Sequence, residues 1–452
     1  MRIAMIGTGY VGLVSGACFS EFGVSVTCVD KDADKIARLQ RGEMPIYEPG
    51  LDQLVAANRA AGRLTFTTEL KPALDGADAV FIAVGTPSRR GDGHADLSYV
   101  FAAAAEIAET LAQLPASRTV VVTKSTVPVG TGRRVERILG MRLAAGSFDV
   151  ASNPEFLREG SAIQDFMRPD RVVIGTDSEH ARTVLRGLYR PLYLLETPVV
   201  LTTIETAELI KYAANAFLAT KVTFINQVAD LCEAVGADVQ DVARGIGLDG
   251  RIGRKFLHAG PGFGGSCFPK DCAALVRTAE EAGRRLTMVE RVLEINDARK
   301  SGMAERIVEA CGGGIAGKTI AVLGLTFKPN TDDMRESPSL SILPPLVAAG
   351  ATVRAFDPEG MAEAKKLLPE LAYCGDAYEA LDGADAVVLL TEWNEFRALD
   401  LGRVKSLLRA PVVIDLRNIY QPEEMTEAGF VYHSIGRTTG KPAAGPNLRA
   451  IA

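Results

Sequence analysis

Short apolar runs alternate with longer amphipathic segments through the first 200 residues of the chain. The apolar runs are four to six residues long and rich in Val, Ile and Ala, which is typical of buried strands. Such alternation predicts a parallel sheet with helices on both faces. We predict strands at residues 2–6, 24–29, 79–84, 119–124 and 172–174, and helices that include 11–22 and 100–111.

A seven-residue segment occurs twice in the chain. Residues 74–80, Leu-Asp-Gly-Ala-Asp-Ala-Val, recur letter for letter as residues 381–387. Similar strand–helix–strand patterns precede the two copies, at residues 3–30 and 320–357. An ordered series of matches predicts two Rossmann-like, doubly wound parallel-sheet domains, one at each end of the chain.

The strand pattern stops between about residues 203 and 311. Thr202 and Glu205 have the spacing of a capping box, and a helical pattern follows to about residue 235 with Leu209, Phe217 and Phe224 among its apolar positions. We therefore predict a central helical domain whose long helix forms the spine of a dimer. The predicted domains are 1–202 (Rossmann), 203–311 (central helical) and 312–437 (Rossmann-like), followed by a mobile tail at 438–452.

The composition is that of a soluble enzyme. Hydrophobic residues make up 47%, charged residues 23%, and the net charge is −6, so no basic surface indicates a nucleic-acid or membrane partner. No apolar run reaches membrane-spanning length, and the N-terminus lacks signal-peptide features. The seven cysteines are scattered and the four histidines show no metal-ligand spacing, so we expect reduced thiols, no metal and a cytoplasmic location.

The first strand leads into a glycine fingerprint, Gly7-Thr8-Gly9-Tyr10-Val11-Gly12. Gly7, Gly9 and Gly12 allow a dinucleotide pyrophosphate to approach a helix N-terminus. Asp30 ends the second strand, where a carboxylate accepts from a ribose 2′-hydroxyl and favours NAD over NADP. The alternative is a glycine turn without a ligand. The matching turn of the second domain, residues 324–330, lacks the fingerprint, and its Lys328 and the nearby Arg335 are either phosphate contacts or solvated cations.

A second motif, Gly262-Phe263-Gly264-Gly265-Ser266-Cys267-Phe268-Pro269-Lys270-Asp271, places one thiol after a run of glycines. We interpret the glycines as a flexible loop that wraps a substrate beside the sulfur. Pro269 suits the first turn of a helix. A thiol near a helix N-terminus and a lysine is expected to ionise readily, so Cys267 is the predicted nucleophile.

Four further polar groups are weaker candidates. Lys211 and Asn215 share one helix face and could stabilise an oxyanion, although a polar helix face has the same pattern. Glu155 and Thr126 each follow a predicted strand, where a turn-forming role is the alternative. Cys18, Cys28 and Cys272 are expected to pack in the core.

Six ordered motifs together resemble the UDP-glucose/GDP-mannose dehydrogenase family across essentially the whole chain. They are Gly-Thr-Gly-Tyr-Val-Gly, Ser-Thr-Val-Pro-Val-Gly-Thr, Asn-Pro-Glu-Phe-Leu-Arg-Glu-Gly, Lys-Tyr-Ala-Ala-Asn-Ala-Phe, Gly-Phe-Gly-Gly-Ser-Cys-Phe-Pro-Lys-Asp and Phe-Lys-Pro-Asn-Thr-Asp-Asp. Phenylalanine after the cysteine looks like the members that oxidise UDP-glucose, whereas members acting on GDP-mannose usually have leucine there.

The resemblance implies a four-electron oxidation of UDP-glucose to UDP-glucuronate with two NAD in succession. Cys267 would hold the sugar C6 as a thiohemiacetal and then as a thioester. Asp271 and Thr126 would position the water that takes the substrate proton, Lys211 and Asn215 would stabilise the C6 oxyanion, and Glu155 would assist hydrolysis.

The resemblance also implies the role of each domain: 1–202 would bind NAD, 203–311 would carry the dimer contact and the catalytic cysteine loop, and 312–437 would bind the UDP-sugar. It further implies two sets of binding residues. Arg251 is similar to an arginine that reaches the substrate of the neighbouring subunit in a homodimer or larger homo-oligomer. The cofactor contacts would be the three fingerprint glycines with Val11, Asp30, Lys35, Thr86, Thr126, Glu159, Lys270 and Arg335. The substrate contacts would be Glu155, Phe156, Leu157, Arg158, Glu159, Lys211, Asn215, Arg251, Phe256, Leu257, His258, Ala259, Gly260, Gly264 and Lys328.

Three alternatives stay open from the sequence. A sister enzyme would act on GDP-mannose or a UDP-N-acetylhexosamine. A hydroxyacid dehydrogenase would share the opening domain and the helix lysine and asparagine, but would need neither Cys267 nor the last domain. A non-catalytic NAD-sensing module would not need the reactive groups.

Overall fold

The structure is a computed structural model that describes residues 1–87, 89, 93–115 and 117–437. The predicted mobile tail, 438–452, lies outside the described residues. The chain divides into two compact units. Unit 1 comprises Met1–Ala214 and Ala273–Arg284, and unit 2 comprises Asn215–Cys272 and the described residues from Arg285 onward.

Unit 1 is built on an eight-stranded sheet. Its strand order is β3-β2-β1-β4-β5-β6-β7-β8, in which the first six strands have the order of a Rossmann domain. All neighbours pair in parallel except β6 and β7, which meet antiparallel through Ser152 and Gly175. The strands are β1 Arg2–Ile6, β2 Ser25–Val29, β3 Leu64–Thr67, β4 Ala79–Ile82, β5 Thr119–Thr123, β6 Phe148–Ser152, β7 Val172–Gly175 and β8 Val199–Thr202.

Two apolar clusters bury the faces of this sheet. One contains Phe19, Phe81 and Phe166, and the other contains Val80, Ile107 and Val121. Alternate residues of β4, Val80 and Phe81, therefore enter opposite clusters, as a sheet covered on both faces requires. The helices are α1 Tyr10–Glu21, α2 Ala33–Arg41, α3 Leu51–Ala60, α4 Leu70–Leu74, α5 Ser98–Leu111, α6 Thr131–Gly140, α7 Ala162–Met167 and α8 Glu179–Leu188, with a 3₁₀ helix at Arg190–Leu195.

Unit 2 carries a six-stranded, all-parallel sheet of order β11-β10-β9-β12-β13-β14. This is the Rossmann order again, so the prediction of two doubly wound domains is confirmed. The repeated heptapeptide connects α4 to β4 in unit 1 and α15 to β12 in unit 2. The strands are β9 Thr319–Leu323, β10 Thr352–Phe356, β11 Ala372–Tyr373, β12 Ala386–Leu389, β13 Val412–Asp415 and β14 Val431–Ser434, and α15 is Ala377–Leu381.

A helical region separates the two sheets along the chain, also as predicted. Its helices are α9 Ile204–Val235, α10 Val239–Gly247, α11 Phe268–Glu281 and α12 Thr287–Ala310. The unit border falls inside α9 and again inside α11. The remaining helices of unit 2 are α13 Ser339–Ala348, α14 Met361–Leu367, α16 Asn394–Arg397, α17 Leu401–Leu407 and α18 Pro422–Glu427.

The capping box predicted at the start of α9 is wrong by one residue. Thr202 is the last residue of β8 and pairs with Gly175, so the following threonine caps the helix. The hydroxyl of Thr203 accepts from the backbone N–H of Thr206 at 3.2 Å. Glu205, the proposed partner, forms an ion pair with Arg133 instead.

Across the described ranges, none of the helices combines the length and the apolar character that crossing a bilayer requires.

Candidate active site

The glycine fingerprint forms the turn between β1 and α1, where the sequence predicted it. A Cβ at Gly12 would lie 2.0 Å from the carbonyl oxygen of Gly7, so only glycine allows the turn to close. A Cβ at Gly9, the N-cap residue, would meet nothing within 4 Å. Because no side chain caps α1 and its first turn has no acidic residue, its N–H groups suit a pyrophosphate.

Asp30 follows β2 beside this turn. Its carboxylate accepts from the backbone N–H of Thr8 at 2.9 Å, from the Thr8 hydroxyl at 2.7 Å and from Lys35 Nζ at 3.1 Å. Although burial opposes the effect, these hydrogen bonds lower the pKa of Asp30. Asp30 is thus held as a carboxylate, the form that accepts from a ribose hydroxyl.

Thr86 and Thr126 lie together after the neighbouring strands β4 and β5. The Thr86 hydroxyl donates to the carbonyl oxygen of Thr126 at 3.0 Å. In a sheet of this order β1 and β4 are parallel neighbours at which the order of the strands reverses, and ligands bind at the carboxyl ends of the strands beside that point. Both threonines therefore lie at the edge where the fingerprint predicts the nicotinamide dinucleotide.

Glu155 and Lys211 form a buried ion pair within unit 1. Lys211 Nζ lies 2.9 Å from Glu155 Oε1, and both side chains are almost inaccessible to solvent. The other carboxylate oxygen of Glu155 accepts from the backbone N–H of Leu157. Phe156 lies between two cations, with its ring centroid 3.5 Å from Arg171 Cζ and 5.5 Å from Lys211 Nζ.

Lys124 is a third buried charge near this pair, and the sequence analysis did not single it out. Its ammonium donates to Asn153 Oδ1 at 3.1 Å and to the Tyr189 hydroxyl at 3.3 Å. Burial lowers the pKa of Lys124 to about 8, against the opposing influence of Glu155. The only sequence signal was a lysine at the end of the apolar strand β5.

The loop after Glu155 is fixed by Glu48, another residue that the sequence analysis missed. Glu48 accepts from the backbone N–H groups of Gly160 at 2.6 Å and Ala162 at 2.7 Å, and from the Tyr10 hydroxyl. Burial and the adjacent Glu48 raise the pKa of Tyr10, so the phenol remains a donor. These bonds tie the loop to the glycine fingerprint.

Two predicted binding residues lie on this loop. Arg158 pairs with Asp165 through its Nε at 2.9 Å and its Nη2 at 2.6 Å. Glu159 is half-buried, on the stretch that Glu48 holds.

In unit 2, Cys267 directly precedes α11, and Pro269 occupies its first turn as predicted. Asp271 is buried, and its two oxygens accept from Asn215 Nδ2 at 2.6 Å and from Lys270 Nζ at 2.7 Å. The structure thus joins three of the predicted groups through Asp271, whose backbone N–H donates to the carbonyl oxygen of Cys267 at 2.8 Å. Of the seven cysteines, six are buried and only Cys267 is partly exposed; none is in a disulfide.

The glycines before the thiol pack against protein. Gly262 has φ +116°, and a Cβ there would lie 2.9 Å from Lys300 Cγ. A Cβ at Gly264 would lie 2.2 Å from the carbonyl oxygen of Glu336. Gly265 also donates to the carbonyl oxygen of Arg335 at 2.9 Å. Close packing against other parts of unit 2 therefore accounts for these glycines, and the wrapping of a substrate by this loop stays a prediction.

Residues 256–260, the predicted substrate loop, divide into two kinds. Leu257 and Ala259 belong to the apolar core of unit 2, so only their backbone is free to contact a ligand. Phe256 has the left-handed φ of +64°, and His258 Nε2 lies 2.6 Å from the carbonyl oxygen of Arg417. The backbone of Gly260 is held by Asn226 and Arg299.

Three predicted cationic contacts lie on loops of unit 2. Arg251 is 89% exposed and pairs with Asp249, two residues earlier. Arg335 pairs in the same way with Asp333. Lys328 Nζ lies 5.3 Å from the ring centroid of Phe327. None of the described His, Cys, Asp and Glu side chains forms a group of three or more that could hold a metal ion.

A Rossmann unit whose glycine fingerprint leads into an uncapped helix is typical of an NAD-dependent dehydrogenase, and the partly exposed Cys267 of the second unit is the candidate nucleophile. The chain matches three domains described for the UDP-glucose/GDP-mannose dehydrogenase family: the NAD binding domain over residues 1–193, the central domain over 205–298 and the UDP binding domain over 321–422. The chain belongs to this family, which confirms the resemblance seen in the sequence.

Its relatives are similar over their whole length. It is 62% identical to the UDP-glucose 6-dehydrogenase of Rhizobium meliloti (strain 1021), covering 97% of this chain and 100% of the relative. It is 51% identical to the UDP-glucose 6-dehydrogenase TuaD of Bacillus subtilis (strain 168), covering 96% and 93%. Among solved structures, a UDP-glucose dehydrogenase from Pyrobaculum islandicum superimposes with a TM-score of 0.88 at 39% identity, covering 97% and 98%.

Proposed function

We propose that this chain is a UDP-glucose 6-dehydrogenase that oxidises UDP-glucose to UDP-glucuronate. The observation that carries the proposal is the 62% identity to a UDP-glucose 6-dehydrogenase along the full length of both chains. NAD accepts one hydride in each of two oxidations, and one water is consumed. The C6 alcohol thus loses four electrons and becomes a carboxylate.

Cys267 holds the reacting carbon between the two oxidations. After the first hydride leaves, the thiolate adds to the C6 aldehyde and forms a thiohemiacetal. Loss of the second hydride gives a thioester, and water then releases the acid and restores the thiol. The position of Cys267 at the start of α11, partly exposed, supports this role.

The remaining predicted groups handle protons and charge. Asp271 and Thr126 position the water that takes or relays the proton of the C6 hydroxyl, and the hydrogen bonds from Asn215 and Lys270 orient the Asp271 side chain for this role. Lys211 and Asn215 stabilise the C6 oxyanion, which their spacing of one turn on α9 supports. Glu155 assists thioester hydrolysis, and its buried position 2.9 Å from Lys211 Nζ supports a place beside the reacting groups.

The cofactor and substrate contacts are proposed as predicted from the sequence, with one restriction. NAD binds at the β1–α1 fingerprint with Asp30 at its ribose, and the sugar nucleotide contacts residues 155–159, residues 256–260, Gly264 and Lys328. At Leu257 and Ala259 the contact is through the backbone, because the side chains are in the core.

The test combines stoichiometry with one substitution. Pure protein is incubated with NAD and a panel of UDP-glucose, GDP-mannose and UDP-N-acetylhexosamines. We expect two NADH per UDP-glucose and little from the others. Cys267→Ser should bind both ligands and lose at least about 10³-fold in kcat. Preferential turnover of another sugar nucleotide would favour a sister enzyme, and a wild-type yield of one NADH would contradict the thioester route.

We also propose a homodimer or a larger homo-oligomer assembled on α9. Its exposed apolar face, the α9 face, carries Phe217, Phe224 and Leu231 at intervals of seven residues, with exposures of 66%, 53% and 59%. A long helix with such a face is expected to bury it against another surface. The edge strand β8, with exposed Val199, Val200 and Leu201, adds a second apolar surface. We propose that a second copy of this chain covers both surfaces, and that Arg251 then reaches the active site of the neighbouring subunit.

The three predicted domains and the cytoplasmic location remain part of the same proposal. Dinucleotide and sugar-nucleotide substrates are metabolites of the cell interior, and seven cysteines without a disulfide agree with a reducing compartment.

A further inference from the structure

Helix α12 holds the backbone just before the thiol loop. Asn296, which is buried, accepts from the backbone N–H of Phe263 at 2.8 Å and donates to the carbonyl oxygen of the same residue at 3.0 Å. One side chain thus satisfies both backbone groups of Phe263. A paired amide of this kind fixes position and orientation together.

A second set of bonds holds Gly260, three residues earlier. The backbone N–H of Gly260 donates to Asn226 Oδ1 at 2.9 Å, and its carbonyl oxygen accepts from Arg299 Nε at 2.6 Å. Arg299 is itself anchored by Asp230 on α9 at 2.8 Å. The segment from Gly260 to Phe263 is therefore fixed at both ends by buried side chains of α9 and α12.

The fixed segment reaches the thiol through aromatic rings. Phe263 packs edge-to-face on Phe268, with centroids 5.8 Å apart, and Phe256 lies 6.0 Å from the same ring. Phe268 is the residue after Cys267 and the first of α11. A displacement of Phe263 would therefore shift Phe268, and with it the adjacent Cys267.

We propose that Asn296 and Phe263 are positioning residues for the Cys267 thiol. They set where the sulfur stands when the C6 aldehyde forms, and so decide whether the aldehyde is captured or released. This inference rests on the proposed two-step oxidation. A misplaced thiol leaves the first oxidation possible but lets aldehyde leave after one NADH.

The test measures this partition in variants and in matched controls. Asn296→Leu removes both hydrogen bonds at similar volume, and Asn296→Asp keeps only the acceptor. Phe263→Leu keeps the backbone bonds but removes the ring contact. Ser301→Ala alters the same helix at an exposed hydroxyl that bonds only within α12. Met303→Ala removes a buried side chain of α12 from the core of unit 2 and leaves the loop bonds in place.

We expect Asn296→Leu and Phe263→Leu to lower NADH per UDP-glucose from two towards one, with aldehyde captured by a hydrazine trap. Their kcat should fall at least about tenfold, while KM for NAD stays within about twofold. Asn296→Asp should give an NADH yield and a kcat between those of the two leucine variants and those of the wild type. The double variant should do little more than either single one, because both act through one contact. A full yield of two NADH in Asn296→Leu or Asn296→Asp, or a loss shared by Met303→Ala, would overturn the inference.

A second readout needs neither substrate nor cofactor. Because Cys267 is the one cysteine that is not buried, iodoacetamide labels it selectively in the wild type. Asn296→Leu should be labelled at least about threefold faster, since a loosened loop exposes the sulfur for more of the time. Equal labelling of Asn296→Leu, Ser301→Ala and wild type would contradict the positioning role. If the wild type itself made no NADH from UDP-glucose, the proposed function would fail, and labelling would still decide this inference.

Discussion

At the residue scale, Glu208 connects two parts of the predicted site in unit 1. It lies on α9 one turn before Lys211, is buried, and accepts from the backbone N–H groups of Gly130 and Gly132, each at 2.7 Å. Gly130 is the last residue of the segment 126–130, which connects the candidate residue Thr126 to α6. The carboxylate therefore holds the start of α6 against the helix that carries Lys211.

The protonation of Glu208 predicts a pH dependence of stability. Burial raises its pKa to about 7, with Glu205 adding to the effect and Arg133 and the two N–H groups opposing it. Between about pH 4.5 and 7 the folded protein keeps a proton that the unfolded chain has lost. The free energy of unfolding therefore falls as pH rises through this window, by up to about 3 kcal/mol.

The check uses Glu208→Gln, which does not titrate. Urea titrations followed by circular dichroism at pH 5, 6, 7 and 8 should show the wild type losing stability relative to this variant as pH rises. A difference that is the same at every pH would show that Glu208 is already ionised at pH 5.

Many residues of the candidate site could be predicted from the sequence, but the residues that hold the site loops in place could not. Motifs that follow strands located Gly7, Thr126 and Glu155 after β1, β5 and β6, and the motif with Pro269 located Cys267 directly before α11. Glu48, Glu208 and Asn296 act on backbone groups more than 30 residues away in sequence, and no local spacing reveals such a contact. The packing of Gly264 against Glu336 was missed for the same reason: glycine looks alike whether a ligand or a carbonyl group faces it.

At the element scale, the two Rossmann sheets show how one pattern serves two tasks. In the first sheet the apolar runs predicted the strands closely. The predicted strand 2–6 matches β1, and β4 ends two residues before the end of the predicted strand 79–84. In the second sheet Asp357 stands where Asp30 stands in the first. Its carboxylate accepts from backbone N–H groups of Leu325, Thr326, Glu359 and Gly360 and from Trp393 Nε1. These bonds leave it no capacity for a ribose, although the sequence pattern is the same.

The direction of β7 was not predictable from its apolar run. Buried strands carry the same residues whether they run parallel or antiparallel to a neighbour. The capping error at α9 has a similar origin, because Thr202 and Thr203 are chemically identical. Only the pairing of Thr202 within β8 leaves the next residue free to cap.

The loop from Arg158 to Ala162 gives a prediction at this scale. Glu48→Gln replaces one accepting oxygen with an amide group that faces a backbone N–H, so Gly160 or Ala162 loses its partner. We expect a cost of about 1–3 kcal/mol, seen as a lower Tm, and a higher KM for both substrates. Tyr10→Phe removes only the hydroxyl, which accepts from Gly160 at the longer distance of 3.0 Å, and should have a smaller effect because both bonds from Gly160 and Ala162 to Glu48 remain. Equal losses in the two variants would show that the carboxylate's backbone bonds do not hold the loop.

At the scale of the whole molecule, the exposed α9 face and Arg251 both favour the proposed homodimer. The α9 face has large apolar side chains in solvent, and Arg251 pairs only with a residue of its own loop among the contacts seen. If two copies bury this face and exchange Arg251, each active site needs one cysteine and one arginine from different subunits. Neither subunit then forms a complete site alone.

Subunit complementation tests this arrangement. Cys267→Ser and Arg251→Ala are each expected to be nearly inactive, while every Arg251→Ala subunit keeps its thiol and every Cys267→Ser subunit keeps its arginine. After dissociation and reassociation at equal amounts, half of the dimers are mixed and each has one intact site, so activity should return to about a quarter of the wild type. Phe217→Glu with Phe224→Glu should prevent the recovery and give monomers in light scattering. No recovery from well-mixed dimers would place Arg251 at its own subunit's site, because the two defects would then stay in separate, individually broken sites.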